Sequence, residues 1–418
     1  MRSVSRNFRA NDLRFPDYFE FMVKRDKNIF LCAPVRTPIG KFGGQLSSLT
    51  APELGTIAAK ECIKRAGIEP GQIDEVIFGH ARQAGTGPNP ARQIAYKSGC
   101  PDLVPAYTVN KACASGMKAI VNAYQAIALG DAEIVLAGGT ESMSNTPYFL
   151  PRARWGYRLG HAELVDGMYR DGFLCPLCEE MMGVTAENLA KKYKITRQEA
   201  DEYALMSQQR AETAQKNGRL KAEIVAAEIP GRKGQVNLIE SDEHPRPRTT
   251  LEDLAKLKLV FRENGTVHAG NASGITDGAA AVLAVSESKS NELSIKPMAR
   301  IVDYTVAGVD PALMGIGPVS AIRKLLERNQ LTLNDIDLIE LNEAFAVQVL
   351  ACHRELHFDL DRVNVNGGAI ALGHPIGCTG TRIVVTLVHE MQKRNASLGL
   401  ATLCVSGGMG MTLLLERV

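Results

Sequence analysis

The chain has 418 residues and a mass of 45.2 kDa, enough to bury the cores of two or three domains. Its 48 basic and 46 acidic side chains leave a net charge of +2, which gives no electrostatic reason to expect nucleic acid as the main partner. No apolar run reaches the roughly 18 residues that a membrane-crossing helix needs, and no secretory-type apolar core stands near the N-terminus.

The first 27 residues carry Arg2, Arg6, Arg9 and Arg14 among serines, a composition shared with organellar targeting peptides. Asp12, Asp17 and Glu20 count against that reading, and an N-terminal extension outside the fold competes with it. Strand character begins in "NIFLCAPVR" from Asn28. The chain then states one pattern twice. "GIEPGQIDEVIFGH" (67–80) and "QLTLNDIDLIELNE" (330–343) each pair a turn and an "ID" with a short apolar strand. Each leads on to a cysteine opening a helix, Cys113 in "CASGMKAIVNAYQAIALG" and Cys378 in "CTGTRIVVTLVHEM". Each closes on a buried-type strand running into glycines, "AEIVLAGGTES" and "LGLATLCVSGGMG". Helices of period near 3.6 alternating with continuous apolar strands predict two similar α/β halves on a mostly parallel, doubly covered sheet.

Between the halves, from 143 to 268, charge rises and amphipathic helical stretches replace strands, which reads as an insertion covering one face of the first half. Its basic, Pro-rich loop "DEHPRPRTT" is either a solvated surface or a seat for a phosphate-bearing ligand. Cys175 and Cys178 form an isolated "CPLC", a redox or metal pair or simply two thiols. Nine cysteines, an odd number scattered from position 32 to 404, make a poor disulfide framework and fit a reducing compartment.

Five residues carry candidate chemistry. Cys113 is expected at the N-terminus of a helix, where amide N–H groups favour a thiolate and suit an acyl-transfer nucleophile; a buried structural cysteine is the alternative. Cys404 ends an apolar strand before a Gly run, the edge at which α/β folds place their sites. Asn342 and Glu343 lie at a similar strand-to-helix edge and also suit a cap or packing role. His374 stands among glycines, which tolerate the tight turns that bring a backbone close to a ligand.

Five motifs, "NKACASGMKAI", "GNASGITDGAA", "LNEAFA", "NVNGGAIALGHPIGCTGTR" and "CVSGGMG", resemble the ordered motifs of the thiolase family across residues 28 to 418. The resemblance implies a five-layered αβαβα fold built from two similar halves with an inserted loop domain. On that reading 28–142 with 269–297 form the N-terminal half, 143–268 the loop domain and 298–418 the C-terminal half. It implies Cys113 as acylated nucleophile, His374 as base, Cys404 as carrier of the α-proton, and Asn342 as holder of a water in an oxyanion hole. Arg246 and Ser273 match positions that contact coenzyme A. The backbone of Ser406 would complete a second oxyanion hole, although the family usually has Gly or Ala there. Met182, Met314 and Phe345 are expected to line the acyl pocket or else to pack in the core; Met181 stands where many short-chain biosynthetic relatives have histidine.

The activity implied is thiolytic cleavage of 3-ketoacyl-CoA, or the reverse condensation of two acetyl-CoA, with coenzyme A as substrate and neither cofactor nor metal. A homodimer or homotetramer follows from the same resemblance, which leaves open whether a hydratase/dehydrogenase subunit joins it. A cytoplasmic location is expected, or a mitochondrial matrix one if the first residues are a targeting peptide. The competing classes are a ketoacyl synthase, which relies on one Cys and two His, and a non-catalytic CoA- or lipid-binding relative, which has no need of a second thiol.

Overall fold

The long apolar runs form strands that are buried along their length: Ile29–Arg36 (β1), Glu75–Gly79 (β2), Ala106–Val109 (β3, partly exposed), Ile134–Ser142 (β4) and Thr276–Ser286 (β5). Pro297–Gly308 (β6), Leu338–Leu341 (β7), Leu398–Val405 (β8) and Met409–Arg417 (β9) follow. The computed structural model describes residues 28–231 and 235–418, so the N-terminal segment considered above as a targeting peptide or extension lies outside the described residues.

The strands join in the order β7-β8-β9-β6-β1-β5-β4-β2-β3, and Gly40–Lys41 adds a tenth strand beside β5. The halves meet where β1 pairs with β6, Phe30 opposite Arg300 and Leu31 opposite Ala299. The sheet is less parallel than the sequence suggested. Only the pairs β2–β3, β2–β4 and β7–β8 run parallel, because only these are linked by helical crossovers. β5, β6 and β9 return antiparallel and close each half.

Five layers follow from where the apolar groups gather. One core lies between the outer helix Ala51–Ala66 (α1) and the N-terminal strands, built on Leu54, Ala58, Phe78 and Leu136. A central core surrounds helices Ser115–Leu129 (α2) and, further along the chain, Ile376–Arg394 (α6), with Ile120, Val135, Val384 and Leu403. A third holds the loop-segment helices Met182–Tyr193 (α3) and Arg197–Lys216 (α4) against Gly317–Asn329 (α5a) and Ala346–Leu356 (α5b), through Leu189, Ile322 and Val347. The inserted helices therefore pack on the second half rather than the first, because their apolar stripes match α5b. Buried ion pairs from Arg36 to Glu223 and Asp242 tie the segment back to β1.

The central helices approach so closely that side chains are excluded. A Cβ at Gly139 on β4 would clash with the Gly377 carbonyl, and one at Gly380 with the Met117 amide. Gly139→Val should therefore lower stability by about 3 kcal/mol or prevent folding. Gly71→Ala, whose new methyl would meet only Pro101 Cγ at 3.6 Å, should change it by less than about 0.5 kcal/mol. Thermal melts and soluble yield compare the two.

Candidate active site

After β3 the chain turns tightly. The Lys111 amide donates to Ser115 Oγ at 2.9 Å, and the Ser115 hydroxyl donates to the Ala112 carbonyl at 2.7 Å. Ala112 is held at φ +46°, a left-handed conformation costly for a residue with a Cβ. Cys113 follows it, two residues before α2 opens at Ser115, close to the helix N-terminus that the sequence suggested. The backbone N–H groups of Ser406 and of Cys113 itself are directed at its sulfur. Burial nevertheless pushes the Cys113 thiol up, and these N–H groups and the Arg82 charge only partly offset this. The expected thiolate preference is thus reversed: the side chain rests as a thiol and needs a base.

His374 faces the same cavity as Cys113. Its ring Nδ1 lies 2.6 Å from Thr379 Oγ1, whose own proton goes to the Pro375 carbonyl at 2.9 Å. The hydroxyl can then only accept from the ring, so the proton sits on Nδ1 and Nε2 keeps its lone pair. Burial, reinforced by the charges of Arg382 and Arg82, pushes the imidazole down to about 3, leaving it neutral at ordinary pH. The glycines around it serve packing more than ligand approach. Gly373, at φ +102°, abuts Thr276, Gly377 abuts the Thr140 carbonyl, and Gly380 abuts α2.

Asn342 follows β7, anchored by its amide to the Thr402 carbonyl at 3.0 Å. Its Nδ2 is 3.5 Å from His374 Nε2, and its Oδ1 is buried without a protein partner. Such an orphaned oxygen beside a cavity suits an ordered water. Cys404 is fully buried near the end of β8, and burial, with Cys113 close by, holds its thiol well above the usual range. Glu343 is structural. It accepts from Tyr203, Ser207, Asn364 and the Ile370 amide, which pins α4 to the second half.

Glu141, on β4, was not singled out in the sequence. It accepts from the amides of Ala81 and Arg82 at 3.2 Å and of Gly377 at 2.8 Å, and His80 Nε2 lies 2.9 Å away. Burial raises its carboxyl, but the charges of His80 and Arg82 outweigh this and hold it below the usual value. It ties the loop after β2 to the first turn of α6, next to His374.

A cavity of about 230 Å³ gathers these groups. Cys113, His374, Cys404, Ser406, Ser273, Met182, Met314 and Phe345 all line it, and Asn342 backs the imidazole. Met181 lines it too. Arg246 does not; with His244 and Gln208 it borders a separate cavity. The two spaces adjoin, since a Cβ at Gly274 would strike the His244 ring. Sequence reasoning missed Arg82, Met143, Tyr169 and Phe173 on the wall. Only Arg82 had a signal, its place just beyond the C-terminal edge of a parallel strand. Among the described residues no group of three His, Cys, Asp or Glu is placed to hold a metal ion, and Cys175 and Cys178 are free thiols.

Two thiols and one neutral imidazole converge on a largely apolar cavity, the constellation of a cysteine-dependent acyl-transfer site. The chain belongs to the thiolase family: the thiolase N-terminal domain matches residues 29–288 and the thiolase C-terminal domain residues 295–417. It is 53% identical to an acetyl-CoA acetyltransferase of Pseudomonas aeruginosa, over 94% of this chain and 100% of that protein. The acetyl-CoA acetyltransferase structure from Syntrophomonas wolfei superposes with a TM-score of 0.92 at 43% identity, covering 94% of this chain and all of that one. Human mitochondrial 3-ketoacyl-CoA thiolase in complex with CoA superposes at 0.90 with 44% identity, covering 94% and 98%.

Thr379→Val removes the acceptor that fixes the His374 tautomer and leaves Nδ1–H unpaired. kcat should fall about 10- to 100-fold with KM changed far less, as steady-state kinetics at saturating CoA would report.

Proposed function

We propose that this protein is an acetyl-CoA C-acyltransferase that cleaves 3-ketoacyl-CoA with coenzyme A, or condenses two acetyl-CoA in reverse, through an acyl-cysteine. The observation that carries the reading is the meeting of Cys113, Cys404 and a neutral, tautomer-locked His374 in one cavity. Acetyl-CoA acetyltransferase relatives of nearly full length support the acetyl-CoA chemistry, and the human relative bound to CoA supports coenzyme A as the co-substrate.

In the cleavage direction His374 Nε2 takes the Cys113 proton, and the sulfur attacks the 3-keto carbon. The C2–C3 bond breaks, and the departing acetyl-CoA enolate takes the Cys404 proton at carbon. The imidazolium then returns its proton to the Cys404 thiolate. Coenzyme A enters, gives its thiol proton to His374 and attacks the acyl-cysteine. Cys113 leaves as thiolate and recovers that proton. Every group ends as it began.

The raised Cys404 thiol suits this role, since a donor to an enolate must hold its proton until carbon demands it. Two oxyanions form. We assign the first to His374 and a water held by Asn342, and the second to the N–H groups of Cys113 and Ser406, each hole worth on the order of 3 kcal/mol. The Ser406 side chain does not alter that N–H. Ser273 faces the coenzyme A path, and Arg246, in the adjoining cavity, suits the nucleotide end. Met182, Met314 and Phe345 would shape the acyl pocket, where flexible methionines accommodate variable chains. A homodimer or homotetramer, with or without a hydratase/dehydrogenase subunit, is the assembly this reading implies, and the free cysteines suit a reducing cytoplasm.

Incubation with acetyl-CoA should add one acetyl group to the peptide bearing Cys113, detected by mass spectrometry. Cys113→Ser should abolish that adduct. Cys404→Ser should still acylate but lose at least about 100-fold in acetoacetyl-CoA thiolysis. An adduct of equal yield in all three proteins would reject the assignment.

A further inference from the structure

The wall of the acyl cavity holds a charge that the reaction above does not use. Arg82 is 6% exposed and lines the cavity with Cys113, Met143, Tyr169 and Phe173. Its amide is pinned to Glu141, so the side chain starts from a fixed point. Its Nε is buried with no hydrogen-bond partner, and among the described residues no carboxylate lies within ion-pair distance of its guanidinium. Glu141, the acid that holds its backbone, is already occupied by three amides and His80.

The covering segment is shaped around this group. Gly172 passes against the guanidinium so closely that any Cβ there would overlap Arg82 Nη2. A buried cation left unpaired among methionine and aromatic side chains is costly, and a ligand anion is what would complete it.

We propose that Arg82 is a specificity-determining residue that selects 3-ketoacyl-CoA substrates whose acyl chain ends in a carboxylate, an inference that rests on the thiolase reading of this cavity. The anion belongs to the acyl chain rather than to coenzyme A. Ala81, next to Arg82, packs with Met143, Ile376 and Cys113, on the side where the acyl group is transferred. Ser273 lines the same cavity, and Arg246, the candidate for the nucleotide end, borders the neighbouring one. A planar guanidinium matches a carboxylate with two parallel hydrogen bonds, and a carboxylated chain would make the pair that the protein withholds. The carboxylate is a spectator; bonds form and break only at C2, C3 and sulfur.

The test compares kcat/KM for 3-oxohexanedioyl-CoA and 3-oxooctanedioyl-CoA with that for 3-oxohexanoyl-CoA and 3-oxooctanoyl-CoA in the full-length protein. The wild type should prefer the carboxylated chain of at least one length. In Arg82→Gln that ratio should fall about 100-fold, mostly through KM. Arg82→Lys, which keeps a charge without the fork, should retain the preference at a ratio reduced about tenfold. Ratios within one preparation are insensitive to partial misfolding, and the wild-type ratio decides even if a variant fails to fold. A wild type that favours the neutral chains at both lengths, or an Arg82→Gln that slows both classes equally, would overturn the proposal while leaving thiolase activity intact. Absence of turnover with every substrate, acetoacetyl-CoA included, would instead remove the thiolase reading and this proposal with it.

Discussion

The site exists because two backbones touch. Gly139 on β4 and Gly377 at the start of α6 leave no room between them for a methyl group, and each belongs to a different half of the chain. Two residues along the same strand, hence on the same face, Glu141 takes the Gly377 amide and the amides of Ala81 and Arg82. That contact sets where α6 begins, and with it His374, relative to the loops carrying Cys113 and Arg82. The flanking sheets, the inserted helices and the Arg36 ion pairs hold this junction in place.

Arg82 apart, the groups that face one another across the cavity carry no charge at rest. Burial keeps both thiols protonated and the imidazole neutral. No ion pair between Cys113 and His374 has to be dismantled before acylation, in contrast to nucleophiles that are held as thiolates. On the proposed mechanism these three groups become charged only as the reaction proceeds, and the N–H groups of Cys113 and Ser406 already face the Cys113 sulfur. Low local polarity strengthens such donors, because they need no reorientation when the oxyanion forms.

Much of this was legible in the residues. The repeated strand–cysteine–helix pattern corresponds to the matching order of β2, β3, α2 and β4 with β7, α6 and β8. Cys113, His374, Cys404 and Asn342 do converge on one cavity; local pattern placed each near a strand edge or a helix opening, and it was the resemblance to thiolase motifs that implied they belong together. The direction of the closing strands was not legible, since an apolar run reads the same whether its neighbour is parallel or antiparallel. Nor was the protonation of Cys113. A helix N-terminus argues for thiolate, but only the folded structure shows how deeply the sulfur is buried. Arg82 escaped notice because an arginine in a loop is ordinarily solvated, and nothing local shows that residues 169–173 come to lie over it.

The hydroxyl of Thr379 has one more consequence. By committing the ring proton to one nitrogen, it gives the resting protein a single protonation pattern, which the full cycle restores whichever way it is run. A catalyst so prepared has no built-in arrow. The ratio of free thiol carrier to its acetylated form in the surroundings, rather than anything in the cavity, then decides whether carbon chains are shortened or extended.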